Sequence, residues 1–524
     1  MRTSHFAVLL LGACASAQEP AQVAATLDVV IAGGTVYDGT GAPGRKADVG
    51  VRGNRVVAIG DLSAARAKRR IDASGKYVCP GFIDLHNHSD SGILRKGLRE
   101  NLCYLTQGCT TIVTGNCGGG KIDVDRYFGR LTSKGMGTNV AHLLPQGSIR
   151  SRAMGGSVHR APTAKETAKI EQLFARGMKH GAFGMSTGLI YTPGSFASTD
   201  ELVACARVVA AAGGIYASHI RDEGDELLKA VREAIEIGRA SGCSVHISHF
   251  KASQPPNWGK VADSCALVEK ARTAGQRVTC DQYPYHASST SLAALVIPTW
   301  AREGSNTDLL RRIDDAVTGK KIRAAIKKAF ARRGGYDKIL IANYRKQPAW
   351  NGLTIGAAAE KAALDPVELV CRMQQVGRVQ AVAFSMSIAD VEFVMKKRFV
   401  ATASDGSTQQ KSATRPHPRS YGTFPRKIGH YAIEKGVLPV AQAIYSSSGL
   451  PAEILGLTDR GYLRVGVYAD VVVFDPASFR DRATFADPHQ FSTGVVALLV
   501  NGQLAIDDSK PTHALAGCVL RRGN

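Results

Sequence analysis

Beyond a short stretch near its start, the chain of 524 residues lacks any apolar run that approaches a membrane span, which excludes a bundle of transmembrane helices. It also lacks paired cysteine spacings. Its eleven cysteines are scattered, so they do not form the framework of a disulfide-stapled domain and read mostly as small buried residues. A third absence is a basic block of nucleic-acid type: the formal net charge is +22, but Lys and Arg are spread along the chain, and no nucleic acid partner is expected. The strongest cluster, Lys320-Lys321 through Lys327-Lys328 to Arg332-Arg333, reads as the solvated face of a helix. An anionic substrate is a milder explanation of the overall charge.

What is present describes a globular α/β protein, with 44% hydrophobic residues and 55 glycines. The length suggests one large barrel-class domain plus a smaller one. Residues 1–17 carry Arg2, an apolar run Phe6–Leu11 and a small-residue ending. That pattern is a secretory signal, and export to the periplasm or the exterior is expected. Ala15-Ser16-Ala17 before Gln18 fits ordinary cleavage, while Leu11-Gly12-Ala13-Cys14 resembles a lipoprotein box that would place a lipid anchor on Cys14.

Residues 27–80 read as short strands, among them Leu27-Asp28-Val29-Val30-Ile31, Asp48–Val51 and Arg55–Gly60. Similar material returns in Asp470–Asp475 and Val495–Gly502, so a small β-sandwich domain built from both termini, 27–80 with 436–524, is expected. Between them, apolar segments end at His88, Cys117, near Gly147, Thr187, His219, His249 and Asp281, 29 to 40 residues apart. This is the length of a strand plus its crossover helix, so the middle reads as a (β/α)8 TIM-like barrel over 81–435. Helical patterns fill the gaps: Thr199–Ala212 behind a Ser198 cap, Asp225–Ser241 and Ala262–Ala274. The eighth strand, Phe399–Gly406, comes 124 residues after the seventh segment's end at Asp281. The excess is an insertion over about 294–380, expected to act as a lid on the catalytic face.

The chemistry starts from Gly81-Phe82-Ile83-Asp84-Leu85-His86-Asn87-His88. Alternate side chains of a strand share a face, so His86 and His88 can present two imidazoles to one point. Strand ends of a barrel converge, which brings His86, His88, Cys117, His219, His249 and Asp405 to one pocket. Imidazole, thiolate and carboxylate are the donors zinc prefers, and an open position on such an ion brings the pKa of water toward neutrality.

Here the chain resembles a known family, the N-acyl-D-amino-acid deacylases (D-aminoacylases) of the amidohydrolase superfamily. The matching motifs are Pro80–Asp90, Gln107-Gly108-Cys109-Thr110-Thr111 leading to Gly115-Asn116-Cys117-Gly118, Gly184–Tyr191, Ser218-His219-Ile220-Arg221, Ser248-His249-Phe250-Lys251, Asp281–Tyr285, Ser404-Asp405-Gly406 and His417-Pro418-Arg419. Many relatives bridge two metals with a carboxylated lysine at the end of the fourth strand. Gly184-Met185-Ser186-Thr187-Gly188 offers none, and the family's cysteine ligand matches Cys117.

The resemblance implies a tight zinc on Cys117, His219 and His249, and a weaker second position among His86, His88 and Asp405. It makes Asp405 the general base and then the general acid. It also implies that Lys251, Tyr283 and Arg419 bind the substrate's α-carboxylate, with Tyr191, Ser288 and Ser289 near the acyl group. Lys251 shares the strand face of His249, which would put its ammonium at the pocket. Phe384–Asp390 keeps a family Met and Asp without the acidic residues between them, a departure that bears on substrate preference. The expected activity is zinc-dependent cleavage of N-acyl-D-amino acids. Hydrolysis of cyclic amides or D-residue dipeptides, and a non-catalytic exported binding protein, are the alternatives.

Overall fold

The computed structural model describes residues 26–375 and 379–523. The expected signal segment, with Cys14 and the Ala17 cleavage site, lies outside the described residues. The centre is a barrel of parallel strands. The first three, Phe82–Asp84, Cys109–Thr114 and Asn139–His142, pair side by side. The last five, Gly184–Gly188, Ile215–His219, Ser244–Ile247, Val278–Gln282 and Val400–Thr402, form a second parallel run. Leu144–Pro145 continues the third strand and pairs with the fourth. The first and eighth meet where Asp405 N donates to His86 O at 2.8 Å and Asn87 bridges Gly406 in parallel.

Several of these strands, Cys109–Thr114 and Ile215–His219 among them, are buried along their whole length, as strands covered on both faces must be. The covering helices include Thr199–Ala211, whose Ser198 side chain accepts from Glu201 N, then Leu227–Ser241 and Val261–Thr273. Each falls within a few residues of its expected span. All the cysteines of the described residues are free, most of them buried.

The terminal strands meet as expected: Val471–Phe474 lies antiparallel to Tyr77–Pro80, joining both ends of the chain in one sheet. Leu27–Val36 pairs with Arg45–Arg52 on one edge and hands its other edge from Ala67–Asp72 to Tyr77–Pro80, with a register break between Ile31 and Gly34. Val29, Ile31, Val49, Val51, Val471, Val473 and Leu499 fill the core of this sheet. The C-terminal boundary differs from the expected 436, because Val440–Ser447 and Gly449–Leu455 are helices. Their Tyr445, Leu450 and Leu455 pack on the barrel's Ile83, Val113 and Ile215, so burial assigns them to the barrel and the β part resumes at Val471.

The insertion is wider than 294–380 and has its own core. Ser288–Ser291, Ile339–Asn343 and Gln380–Ala383 form an antiparallel sheet, backed by helices whose Ile322, Ile326, Phe330 and Val370 pack against Ile341. The basic cluster lies on its helix Ala316–Arg333, as its periodicity suggested.

Candidate metal centre and substrate cavity

The barrel first fixes its own floor. Asp84, fully buried, accepts from Ser404 N at 2.8 Å, from Ser404 Oγ at 2.5 Å and from Asn87 Nδ2 at 2.8 Å. Burial pushes its carboxyl up to about 6, against those hydrogen bonds. This ties the first strand to the eighth directly beneath His86 and Asp405.

Two groups of donors form above that floor: His86, His88, Cys117 and Asp405, and Cys117 with His219 and His249, each group having its ligand atoms within 4.8 Å of one another. Cys117 Sγ is shared, standing 3.2 Å from His86 Nε2, 3.6 Å from His219 Nδ1 and 3.8 Å from His249 Nε2. Ligands about 2.0–2.3 Å from a tetrahedral zinc would stand roughly 3.3–3.8 Å apart, so the sulfur distances suit that ion. His249 Nε2 and His219 Nδ1 stand closer, 2.7 Å apart, as hydrogen-bonded rings do. The donor chemistry therefore fits one zinc on Cys117, His219 and His249, with a second position on the His86, His88 and Asp405 side.

Backbone geometry supports a built site. Cys117, His249 and Asp405 have φ of 53°, 36° and 49°, left-handed values that cost energy in residues with a Cβ. Such strain gathers where surrounding structure holds a residue for function. Burial alone would push the Cys117 thiol up, but the charge of His86 and hydrogen bonds with His219, His249 and His86 bring it well below the ordinary value. A thiolate results, the form that binds metal. Burial holds His219 down, in the neutral form that a ligand requires. Asp405 is likewise well below the usual carboxylate range, because Arg419, His86, His88 and His249 overcome its burial.

Two carboxylates that the sequence reading left without roles hold the histidines. Glu223 Oε1 lies 2.8 Å from His249 Nδ1 and accepts from Lys251 Nζ at 2.5 Å. Lys251 Nζ also donates to His249 O at 2.8 Å and stands 2.9 Å from His249 Nδ1, while His249 Nε2 stands 3.8 Å from Cys117 Sγ. Asp281 Oδ2 lies 2.9 Å from His246 Nε2 and 3.4 Å from His86 Nδ1, while its Oδ1 accepts from His249 N at 2.6 Å. Both orient ligand rings, the usual work of carboxylates behind a metal. Asp281 was visible as a strand end. Glu223 lies four residues past His219, a spacing with no signature of its own.

The cavity above the donors encloses about 1280 Å³, and His88, Cys117, Tyr191, Ser289, Asp405 and Arg419 line it. Arg419 Nη1 stands 2.8 Å from Asp405 Oδ2, and its Nη2 donates to Ser289 O. Tyr191 OH and Thr290 Oγ1 are 2.9 Å apart, with the Tyr191 ring against His219. Ser288 begins the insertion strand beside Ser289. Lys251 departs from expectation: it does not line the cavity, because its ammonium is drawn back to Glu223. Tyr283 lies between Arg419 and Lys251, its ring 4.7 Å and 5.7 Å from them and its hydroxyl turned to Met386 Sδ.

A model of the amidohydrolase family matches residues 69–506. The chain belongs to this family. Within it, the chain is 38% identical to an N-acyl-D-glutamate deacylase of Alcaligenes xylosoxydans xylosoxydans, covering 95% of this chain and 97% of that one. It is 35% identical to a D-aminoacylase of the same organism, over 94% and 98%. The solved structure of an amidohydrolase relative, the N-acyl-D-glutamate deacylase of Bordetella bronchiseptica with zinc and a phosphonate inhibitor, superposes with a TM-score of 0.82 at 34% identity, covering 95% of this chain and all of that one.

Proposed function

We propose that the protein is a zinc-dependent deacylase that hydrolyses N-acyl-D-amino acids to a carboxylate and a free D-amino acid. The observation that carries this is the convergence of Cys117, His219 and His249 beside His86, His88 and Asp405 at one end of the barrel. The identity to deacylases over nearly the whole chain supports the substrate class. The fourth strand, Gly184–Gly188, supplies no lysine, which weighs against the lysine-bridged centres of cyclic-amide hydrolases.

Cys117, His219 and His249 would hold one zinc tightly, with His86, His88 and Asp405 offering a weaker second position. When bound, the ion supplies Lewis acidity and lowers the pKa of the attacking water. Asp405 takes that water's proton on Oδ1, the oxygen turned toward His88, while Arg419 holds Oδ2. The water's oxygen joins the acyl carbon, the C–N bond breaks, and Asp405 returns the proton to the leaving nitrogen. Arg419, buried at the cavity wall with the Tyr283 ring against it, is the group best placed to take the α-carboxylate, and so to fix one hand of the substrate. Glu223 and Asp281 keep the imidazoles in register.

The charged start and apolar run of residues 1–17 support export, with cleavage after Ala17 rather than a lipid on Cys14. Intact mass and cell fractionation check this. The main test pairs metal analysis of the purified protein with a screen of N-acetyl-D- and N-acetyl-L-amino acids, reading free amine. Zinc with D-selective release is the expected result. Equal rates on both hands, or no amine from any substrate, would overturn the reading.

A further inference from the structure

The insertion's helix Ala316–Arg333 buries Ile322, Ile326 and Phe330 in the insertion's own core. Its opposite face is left to solvent. Val317, Lys321, Ala324 and Lys328 are exposed there and lead to Arg332 at spacings of three and four residues, so they form one stripe along the helix. Lys320 and Lys327 flank the stripe and are exposed as well. Among the described residues, no ammonium of Lys320, Lys321, Lys327 or Lys328 has an ion pair or a hydrogen bond. Two carboxylates close to this helix are already engaged, Glu368 by Arg323 and Asp225 by Arg332. The stripe therefore projects positive charge that its own surroundings do not offset.

At its C-terminal end the stripe runs into apolar side chains. Arg332 Nε donates to Gln254 Oε1 at 3.1 Å, and Gln254 N donates to Ser385 O at 2.7 Å. Ser385 O also accepts from Trp258 Nε1 at 3.0 Å. Three residues on, Ile388 opens the helix Ile388–Met395, which carries Phe393. Trp258 is 46% exposed, Ile388 50% and Phe393 38%. Scattered singly, such residues need no explanation, but these belong to two segments tied together at Ser385 O, beside an unpaired basic row. The hydrogen bond keeps the one polar atom of Trp258 on the protein, so the part of the ring left exposed is hydrocarbon.

We infer that this face is a docking surface for an anionic phospholipid bilayer: the lysines of the helix meet lipid phosphates, and Trp258, Ile388 and Phe393 enter the headgroup boundary. Charge attraction and burial of apolar area add at that boundary, and tryptophan is the side chain most at home there. A soluble polyanion would match the lysines but leave the three apolar side chains in water. None of these residues lines the cavity, so the inference is independent of the deacylase reading.

The test is co-sedimentation of the full chain with vesicles of equal parts phosphatidylglycerol and phosphatidylcholine, beside vesicles of phosphatidylcholine alone. Binding to the first and not the second is expected, weakening as salt is added. Lys321→Gln combined with Lys328→Gln should lower partitioning at least roughly 10-fold, since each lysine near an anionic surface contributes about 5-fold. Lys320→Gln with Lys327→Gln is the second basic pair, and thermal unfolding like the parent's shows that both pairs fold. Trp258→Gln with Ile388→Gln, in which the new amide at 258 can keep the bond to Ser385 O, should lower partitioning at least about 5-fold. Bromolipid vesicles should quench the parent's tryptophan emission more than that of Trp258→Phe. No sedimentation with the anionic vesicles overturns the inference, as does binding that survives undiminished in both basic pairs, which places it elsewhere on the chain. Unchanged partitioning of the Trp258 and Ile388 variant overturns entry into the bilayer. Lysine-dependent binding of oligothymidine that is tighter than vesicle binding gives the face to nucleic acid and overturns the bilayer as partner.

Discussion

Replacing Asp405 with Asn separates its chemical role from its structural one. The side chain is held at three points: Oδ1 lies 3.0 Å from His88 Nε2 and 3.5 Å from His86 Nε2, and Oδ2 lies 2.8 Å from Arg419 Nη1. An amide of the same shape can keep its oxygen toward Arg419, so the ion pair becomes a contact between a charge and a neutral oxygen. Removing the charge from one member of a buried pair costs on the order of 1–3 kcal/mol, and Asp405→Asn should lower the unfolding free energy by that much. The catalytic loss is separate. A positioned general base contributes about 10²- to 10⁴-fold, so turnover should fall at least about 100-fold, equivalent to roughly 2.7 kcal/mol of barrier. The tight position on Cys117, His219 and His249 does not include Asp405, so one zinc should remain bound. The assay is steady-state amine release from an N-acetyl-D-amino acid, with zinc stoichiometry and urea unfolding on the same preparation. Turnover within about threefold of the parent, at full zinc, refutes Asp405 as the base. Loss of the tight zinc refutes the division of ligands between the two positions.

Cys117→Ala removes the sulfur common to both donor groups, and two histidines alone hold zinc poorly, so most tightly bound metal should be lost on dialysis against a mild chelator. Retained zinc with full activity would exclude the thiolate as a ligand. A second prediction concerns Lys427, 1% exposed with no hydrogen-bond partner for Nζ. Burial pushes its pKa down from the ordinary 10.5 to about 7. Below pH 7 the folded state carries this buried charge at a cost of up to about 5 kcal/mol, and the cost fades as pH rises to 10.5, where both states are neutral. Lys427→Met should therefore stabilise the protein most at pH 6 to 7 and least near pH 10.5, read by denaturant unfolding at both ends. A uniform gain, or a loss at neutral pH, refutes that account.

The barrel and the six donors were legible because each rests on a local rule. Apolar runs repeat at the length of a strand and its crossover, and period two carries His86 and His88 to one face, so strand ends are visible without knowing what lies opposite them. The parts that escaped depend on pairing across long separations. Ser288–Ser291 joins Gln380–Ala383 from the far end of the insertion. Nothing in either segment says that the insertion contains a sheet rather than a loop. The helices Val440–Ser447 and Gly449–Leu455 were likewise assigned to the β part because the strand patterns on either side of the barrel suggested one boundary, whereas burial against Ile83 and Ile215 decides it.

Lys251 shows where the period-two rule stops. The strand ends at Ile247 and His249 has φ of 36°, so strand alternation no longer governs Lys251, whose Nζ stands 2.9 Å from His249 Nδ1. The rule is also silent on Glu223, which arrives from the loop after the fifth strand and sets the direction of the ammonium. The consequence for catalysis is physical. His249 Nδ1 and Lys251 Nζ meet one carboxylate oxygen, so the charge of Lys251 is already neutralised before substrate enters. Of the two cations expected at the substrate carboxylate, Arg419 is the one that lines the cavity, and its counter-ion is Asp405, the proposed base. In the proposed mechanism a substrate carboxylate on Arg419 would compete with Asp405 for the same guanidinium, weaken the attraction that holds its proton affinity down, and make it a stronger base at the moment the amide is in place. Carboxylate recognition and water activation would thereby be coupled through one side chain, which a reading of the ligands alone does not reveal.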